Sequence, residues 1–314
     1  MSIHVIKPGL CTTVQDGGRQ GYQHLGVPVN GPMDALAHGI ANLLVGNPTA
    51  TGTLEVTLQG PTLRFNARCL LAIAGADLSA ALDGTPLTPG VAVKVAPGAT
   101  LTFGKRVQGA RAYIAVHGGF LLPEVLGSAS TFRRGGFGGV EGRELKAGDT
   151  LAVTSSFRNV PRVVLPRELR TDIQAADGQA IRVIPGREWR FFTEQAHRAL
   201  VQAPYRIANE SERMGYRLAG AELELSAPLE LLSETVTFGT LQVPPSGQPI
   251  VLMADRQTTG GYPKIAHVAS VDLPLLAQRL PGEEVQFTLV ELAEAQELAV
   301  RRAQLIQKLE ALHA

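Results

Sequence analysis

The chain has 314 residues, 45% of them apolar, and 29 Lys and Arg against 28 Asp and Glu leave a net charge of +1. That length accommodates two domains of roughly 150 residues with sizeable cores, and the balanced charge argues against nucleic-acid or anionic-membrane partners. No apolar run reaches the ~18 residues that cross a bilayer. Two cysteines, Cys11 and Cys69, are too few for a disulfide framework, and with no signal-like opening stretch they fit a soluble protein of the reducing cytoplasm.

Glycine (34) and proline (20) are plentiful, and β-branched runs recur between them, which predicts a mainly β fold with a few helices. A strand over 3–6 feeds a polar turn that holds Cys11, read as a small packed residue, and then Asp16-Gly17-Gly18-Arg19. Asp34 is placed to cap a helix over 35–45. Its apolar face is Leu36, Ile40, Leu43 and Leu44, Gly46 ends it, and His38 reads as a partly exposed side chain. The segment 53–58 alternates, with Glu55 on the face opposite Leu54, Val56 and Leu58.

A buried strand follows over 68–75, and Asp83-Gly84 signals a hairpin. Strands over 91–95 and 99–103 are joined by Pro97-Gly98. Lys94 lies in the first of them and points to water; it lacks the flanking methionines of a biotin-bearing lysine, so biotin is not expected on this chain. After a strand over 110–116, the stretch 127–143 is rich in glycine and arginine and ends at Arg143. Its amides and guanidinium groups suit an anion; a solvated loop is the plainer alternative. Prolines and weak periodicity over 155–179 mark a connection, so the domains are expected at 1–160 and 180–314, with a linker at 161–179.

The second half opens with a strand over 181–184 and a short helix within 188–200. A strand over 205–208 then leads into a polar cluster with Ser211, Arg213 and Arg217. Asp272 is placed to cap another short helix, with Pro274 in its first turn and Pro281-Gly282 after it. The chain closes on a helix over 292–312. Its stripe of Ala295, Leu298, Leu305, Leu309 and Leu312 serves either its own domain or a partner.

The richest chemistry follows the apolar run 249–254, which reads as a buried strand ending in Asp255-Arg256-Gln257-Thr258-Thr259-Gly260-Gly261-Tyr262-Pro263-Lys264. Asp255 can accept a proton, Gln257 can both donate to and accept from an amide, and Lys264 can balance negative charge; these three are the candidate catalytic residues. Arg256, Thr258 and Thr259 offer donors, and Gly260 and Gly261 let a backbone or ligand come close. With Asp16, Arg19, Arg143, Arg213 and Arg217 they form the candidate substrate- or anion-binding set; the alternative is a polar turn between two barrel strands. As loop groups, Asp255 and Lys264 are expected to matter little for stability, within about 0.5 kcal/mol. The seven histidines are scattered with no metal-ligand spacing, and no Walker loop, dinucleotide fingerprint or Gly-x-Ser-x-Gly elbow is present.

Four blocks together resemble one family over nearly the whole chain. They are Thr12-Thr-Val-Gln-Asp-Gly-Gly-Arg19; Met33-Asp34 with Ile40-Ala-Asn-Leu-Leu-Val-Gly-Asn47; Ser211-Glu-Arg-Met-Gly-Tyr-Arg217; and Asp255-Arg-Gln-Thr-Thr-Gly-Gly-Tyr-Pro263. The family is named variously biotin-dependent carboxyltransferase, allophanate hydrolase subunit 2 and the C subunit of bacterial ATP-dependent 5-oxoprolinase. Gly31-Pro32 stands where most members have Gly-Ala. The resemblance implies two cyclophilin-like β-barrel domains in tandem. It implies one component of an enzyme that opens 5-oxoproline to glutamate, with ATP used by the complex and the A-type and B-type 5-oxoprolinase subunits as partners. It also allows a carboxyltransferase that acts on urea or a similar amide, with the biotin carried elsewhere, or a regulatory protein that antagonises an inhibitor of a histidine kinase.

Overall fold

Ile3 and Val5 point the same way from the opening strand Ser2–Lys7, and what they meet organises the first half of the molecule. In the computed structural model, which describes residues 1–154, 163–169 and 178–312, this strand belongs to a six-stranded antiparallel sheet. Its order is Thr150–Ala152, Ser2–Lys7, Thr62–Phe65, Thr100–Thr102, Ala81–Leu82, Thr85–Pro86. A five-stranded antiparallel sheet faces it, in the order Cys11–Gln15, Thr53–Thr57, Gln108–Val116, Cys69–Asp77, Ala92–Val95. Ile3, Val5, Leu63, Phe65 and Leu101 from the first sheet share one core with Val14, Leu54, Val56, Leu71 and Ile114 from the second.

The five-stranded sheet is buried on its other face too. Leu70, Ala72, Ala74, Tyr113 and Ala115 pack against Leu36, Ile40, Leu43 and Leu44 of the helix Ala35–Leu44. Burial on both sides is why 69–76 is a continuous apolar run with no alternation. The alanines under the helix leave room for its leucines. Asp34 caps this helix as expected, its carboxylate accepting from the Ala37 N–H at 2.9 Å. Asp83 and Gly84 both have positive φ, the backbone of a tight hairpin turn between Ala81–Leu82 and Thr85–Pro86. Pro97-Gly98, by contrast, carries the chain from the five-stranded sheet to the six-stranded one.

Double-sided burial also fixes the surroundings of Glu55 and corrects the expectation for His38. Glu55, opposite the apolar face of its strand, points under the helix and is 2% exposed. Its Oε2 accepts from the Met33 N–H at 2.9 Å and the Tyr113 hydroxyl at 2.7 Å, and that hydroxyl accepts from the Asp34 N–H at 2.8 Å. His38 is likewise 3% exposed rather than partly open, with Nδ1 2.9 Å from the Thr53 hydroxyl.

The second half is built on an eight-stranded sheet. Its order is Glu284–Val285, Tyr205–Ile207, Gly215–Ala219, Ile250–Leu252, Thr240–Gln242, Lys264–Val268, Ile181–Pro185, Phe287–Leu289. The two edge strands are separated in sequence by Gln286 alone, so the sheet curls almost to closure. Glu234–Thr235 and Thr259–Gly260 form a separate two-stranded ribbon. The molecule is thus mainly β with a few helices, built of two cyclophilin-like barrels.

The short helix Leu273–Ala277 carries Pro274 in its first turn, but Asp272 does not cap it. Its carboxylate instead takes the Arg182 Nε at 2.9 Å and Nη2 at 2.6 Å, tying the helix entrance to the strand Ile181–Pro185.

By contacts the chain divides into one unit of Met1–Gln20, Asn30–Ala175 and Leu305–Ala314 and another of Gly21–Val29 and Ala176–Gln304. The expected linker at 161–179 lies largely outside the described residues; within it, Val163, Leu165 and Leu169 are core residues of the first unit. The final helix, Leu292–Glu310, packs part of its apolar stripe inside the chain, while Leu312 just beyond it is exposed. Ala295 and Leu298 pack with Ala269 and Val271 of the second unit, and Leu305 and Leu309 join the core of the first.

Burial pushes the His38 imidazole down to about 4, whereas the unfolded side chain takes its proton near 6.5. Between those values the unfolded state binds more protons, so stability is lost as pH falls from about 6.5 to about 4, by an amount on the order of 3 kcal/mol. Urea denaturation across that range should show the loss, and His38→Gln should flatten it. The full wild-type slope in the variant would remove His38 as its source.

Candidate functional site

The strand Ile250–Leu252 delivers the Asp255–Lys264 motif to one end of the second barrel. Asp255 is buried, and both of its oxygens are engaged by Arg213, from Nε at 2.8 Å and Nη2 at 2.9 Å. The Asp255 N–H also donates to the Arg213 carbonyl at 2.8 Å. Two blocks far apart in sequence therefore meet in one bidentate pair, the geometry in which a guanidinium holds a carboxylate most firmly. Arg256, next in the chain, is buried over the face of Phe238, 5.9 Å from the ring centroid. Gln257 and Thr259 are exposed, Thr258 is buried, and the Arg217 side chain faces outward.

Lys264 is where the structure departs furthest from the expectation of a polar rim. Its side chain is 5% exposed, with Nζ 3.2 Å from Glu188 Oε2 and 2.7 Å from Glu234 Oε1. Its backbone N–H also donates to Glu188 Oε2, at 3.1 Å. The Lys264 ammonium holds the Glu234 carboxyl below its ordinary value.

A register shift explains which neighbours Lys264 has. Gln242 pairs with Lys264, Leu241 with Ala266 and Thr240 with His267, so Ile265 is an extra residue on its strand. This bulge brings Lys264 and His267, three apart, onto the face shared by Gln242 and Thr240, while Leu241 and Ala266 turn to the core. His267 Nδ1 lies 3.2 Å from the Thr240 hydroxyl; burial, then the Lys264 charge, pushes its imidazole down. Gly260 lies against this face: a Cβ there would stand 2.4 Å from Gln242 Nε2, so the Gln242 side chain would have to shift. Gly261, Tyr262 and Pro263 continue into a groove of about 830 Å³ whose other wall includes Pro244 and Ser246. Glu222, Glu224 and Glu230 also line it.

In the first unit, Asp16 and Arg19 act on one loop. Asp16 Oδ1 accepts from the Ser128 and Ser130 hydroxyls, both at 2.6 Å, and Oδ2 from the Ala129 N–H at 2.6 Å. Burial pushes the Asp16 carboxyl up, but these hydroxyls and the Gly18 and Ala129 amides outweigh it and hold the group below its ordinary value. Arg19 is fully buried, donating to the Ser130 carbonyl at 2.8 Å, the Val125 carbonyl at 3.2 Å and Asn30 Oδ1 at 2.5 Å. Phe137 covers it at 4.9 Å.

The glycines of the 127–143 loop serve this packing. A Cβ at Gly138 would stand 2.0 Å from the Ser130 carbonyl, and the Gly139 and Gly142 amides donate to the carbonyls of Ala129 and Gly138. The Gly136, Gly139 and Gly142 amides are therefore spent on the loop itself. Arg143 is held by Asp149, at 2.8 and 3.0 Å, and by Glu141.

The structure thus joins Asp255 to Arg213 and adds Glu188, Glu234, Gln242 and His267 to Lys264. Sequence reading missed all four. Glu188 lies in a turn and Glu234 in a two-residue strand, neither with a motif, and a one-residue bulge leaves no mark on the alternation that would have aligned Gln242 and His267. Among the described residues no group of three His, Cys, Asp or Glu side chains is placed to hold a metal ion.

Burial overturns the expectation that Lys264 contributes little to stability. Lys264→Ala leaves the buried Glu188 opposite only the exposed Arg187, 3.9 Å away, and should cost about 3–5 kcal/mol. Lys264→Met combined with Glu188→Gln should recover most of it. Chemical denaturation of the single and double variants measures both; a single variant within about 0.5 kcal/mol of wild type would refute the buried pair.

Residues 25–289 match the family described as carboxyltransferase domain, subdomain A and B. The chain is 41% identical to the 5-oxoprolinase C subunit of Escherichia coli K12 over 293 residues, 93% of each chain. It is 40% identical to the 5-oxoprolinase C subunit of Haemophilus influenzae, over 91% of this chain and 90% of that one. The crystal structure of K. lactis urea amidolyase superposes on 98% of the chain with a TM-score of 0.90 and 29% identity, and the chain spans 20% of that longer protein. These matches take in the Asp255–Pro263 and Ser211–Arg217 blocks as well as the fold. On the family match and the identities to the two 5-oxoprolinase C subunits, the chain belongs to the carboxyltransferase domain, subdomain A and B, family.

Proposed function

We propose that this chain is one component of an ATP-dependent enzyme that opens 5-oxo-L-proline to L-glutamate, assembled with the A-type and B-type 5-oxoprolinase subunits. The observation that carries the reading is the 41% identity to a 5-oxoprolinase C subunit across 93% of both chains. A five-membered lactam resists hydrolysis. Transfer of phosphate from ATP to its carbonyl oxygen turns that oxygen into a leaving group, and the activated species must be kept from water until the next group acts. The reading assigns ATP to the assembled complex and no biotin to this chain. It also places the protein in the cytoplasm, where ATP is at hand and Cys11 and Cys69 stay reduced.

Within this chain the reading gives Lys264 the charge that faces the lactam oxygen. Its ammonium has Glu188 as a buried counter-ion and the more open Glu234 as a second. An oxygen gaining negative charge can take the place of Glu234, and in a low-dielectric setting that contact is worth far more than in water. Gln242 and Gln257 offer amide donors and acceptors for the lactam N–H and carbonyl. Asp255, held by Arg213 through both oxygens, orients the loop that presents Gln257.

The likeness to urea amidolyase favours a second reading, transfer of a carboxyl group to urea or a similar amide from biotin on another protein. Glutamate release from 5-oxo-L-proline separates the two. The chain alone should release none, and the chain with ATP and both partner proteins should release it. Turnover by the lone chain at the rate of the full mixture would overturn the multi-component reading. Urea consumption with a carboxybiotin carrier, without glutamate release, would transfer the assignment to the second.

A further inference from the structure

We infer that Arg256 anchors a site for a small monoanion in the second unit and that, on the function proposed above, its ligand is the carboxylate of the substrate. Arg256 is 8% exposed. Its one hydrogen bond among the described residues is a long one, from Nη1 to the Met253 carbonyl at 3.5 Å, and Nε is buried with no acceptor. The adjacent carboxylate of Asp255 is gripped by Arg213 through both oxygens and makes no hydrogen bond to the Arg256 side chain among the described residues. The other buried cations described above are treated differently: Arg19 is surrounded by acceptors and Lys264 by two carboxylates.

A buried guanidinium with a single long hydrogen bond is poorly compensated for its lost hydration. The Phe238 face recovers only part of that loss. A bound anion supplies what is missing. Burial pushes the Arg256 guanidinium down, the direction expected of a cation short of negative partners, although Asp255 opposes it.

Several features select the anion. One uncompensated charge matches a singly charged carboxylate better than a phosphate dianion, since Arg213 is already neutralised. A guanidinium can also hold a carboxylate oxygen through its terminal nitrogens; in Arg256 the Nε is closed off, and Nη2 is the donor with no partner among the described residues. Thr258, two residues along, adds a hydroxyl with no partner among the described residues. The groove beside Tyr262 is lined by Glu222, Glu224 and Glu230 and is unsuited to an anion.

The test compares 5-oxo-L-proline with 2-pyrrolidinone, the same lactam without its carboxylate, and with inorganic phosphate, by calorimetry on the full chain and on the assembled complex. Wild type should bind 5-oxo-L-proline about 30-fold more tightly than 2-pyrrolidinone, the scale of one hydrogen-bonded charge, and Arg256→Gln should lose that preference. The Tm of wild type should rise with 5-oxo-L-proline and not with 2-pyrrolidinone, a readout that needs no variant. Without ligand, Arg256→Gln should melt no lower than wild type, whereas a merely structural arginine would lower Tm when removed. In the complex, KM for 5-oxo-L-proline should rise by more than kcat falls.

Equal binding of both lactams by chain and complex, an Arg256→Gln variant that keeps the preference, or tighter binding of phosphate than of 5-oxo-L-proline would each overturn the anchor. If the complex turns over 5-oxo-L-proline with the same KM in Arg256→Gln, the anchor fails and the proposed function stands. Carboxylate-dependent binding that needs Arg256, in a complex that releases no glutamate, has the opposite meaning.

Discussion

The Lys264 ammonium between the Glu188 and Glu234 carboxylates is the contact on which the second barrel's polar face depends. Three segments converge on it: the turn after the strand Ile181–Pro185, the ribbon strand Glu234–Thr235 and the strand that begins at Lys264. Glu188 holds the side-chain Nζ and the backbone N–H of the same residue, so the carboxylate fixes strand position and charge position together. Two of the three charges are almost wholly buried, and removing either leaves the other with only a more exposed partner, Glu234 for Lys264 and Arg187 for Glu188. Rigidity of this kind is what a site needs if charge is to be stabilised without reorganisation when it develops. The bulge at Ile265 completes the arrangement by turning Lys264 and His267 to the face that carries Gln242 and Thr240.

The first barrel solves a similar problem with neutral partners. Asp16 and Arg19 are close in sequence and opposite in charge, yet the contacts that satisfy them come from the 125–137 stretch. Hydroxyls and an amide of that stretch meet the carboxylate, and its carbonyls and the Phe137 ring meet the guanidinium. The glycines at 138, 139 and 142 let that loop close to within what a Cβ would forbid. A Gly-rich, Arg-rich stretch thus acts as a fitted plug. Under the helix Ala35–Leu44 the same rule runs through Glu55 and Tyr113, whose hydroxyl joins a buried carboxylate to the helix entrance.

Against these satisfied charges Arg256 stands out. It lies in the same motif as Asp255 and Lys264 and is as buried as they are, but its neighbours provide a ring face and one distant carbonyl. Paired charges hold the motif in place; a charge left short of partners is the one with interaction energy still to gain.

Much was legible in the sequence alone. Alternation and glycine–proline punctuation identified a mainly β chain, Asp34 and Gly46 bounded the first helix, Asp83-Gly84 marked its hairpin, and the apolar run at 69–76 was recognisable as buried. Those features are local: backbone preference and side-chain period act over a few residues, so they survive without knowledge of the fold. The long motif after Ala254 was visible for the same reason, as a run of chemically able groups behind a buried strand.

The tertiary structure alone decided which of those groups are paired. Glu55 was placed on the face opposite its strand's apolar residues, and only the fold shows that a helix covers that face. Asp272 looked like a cap until Arg182, 90 residues away, claimed its carboxylate. Lys264 looked like a rim residue until Glu188 and Glu234 closed on it, through a register shift that one extra residue creates and no periodicity records. Sequence determines which side chains can carry charge. Whether a charge is buried, and by what it is met, depends on segments brought together from far along the chain, because desolvation and Coulomb energy follow distance in space.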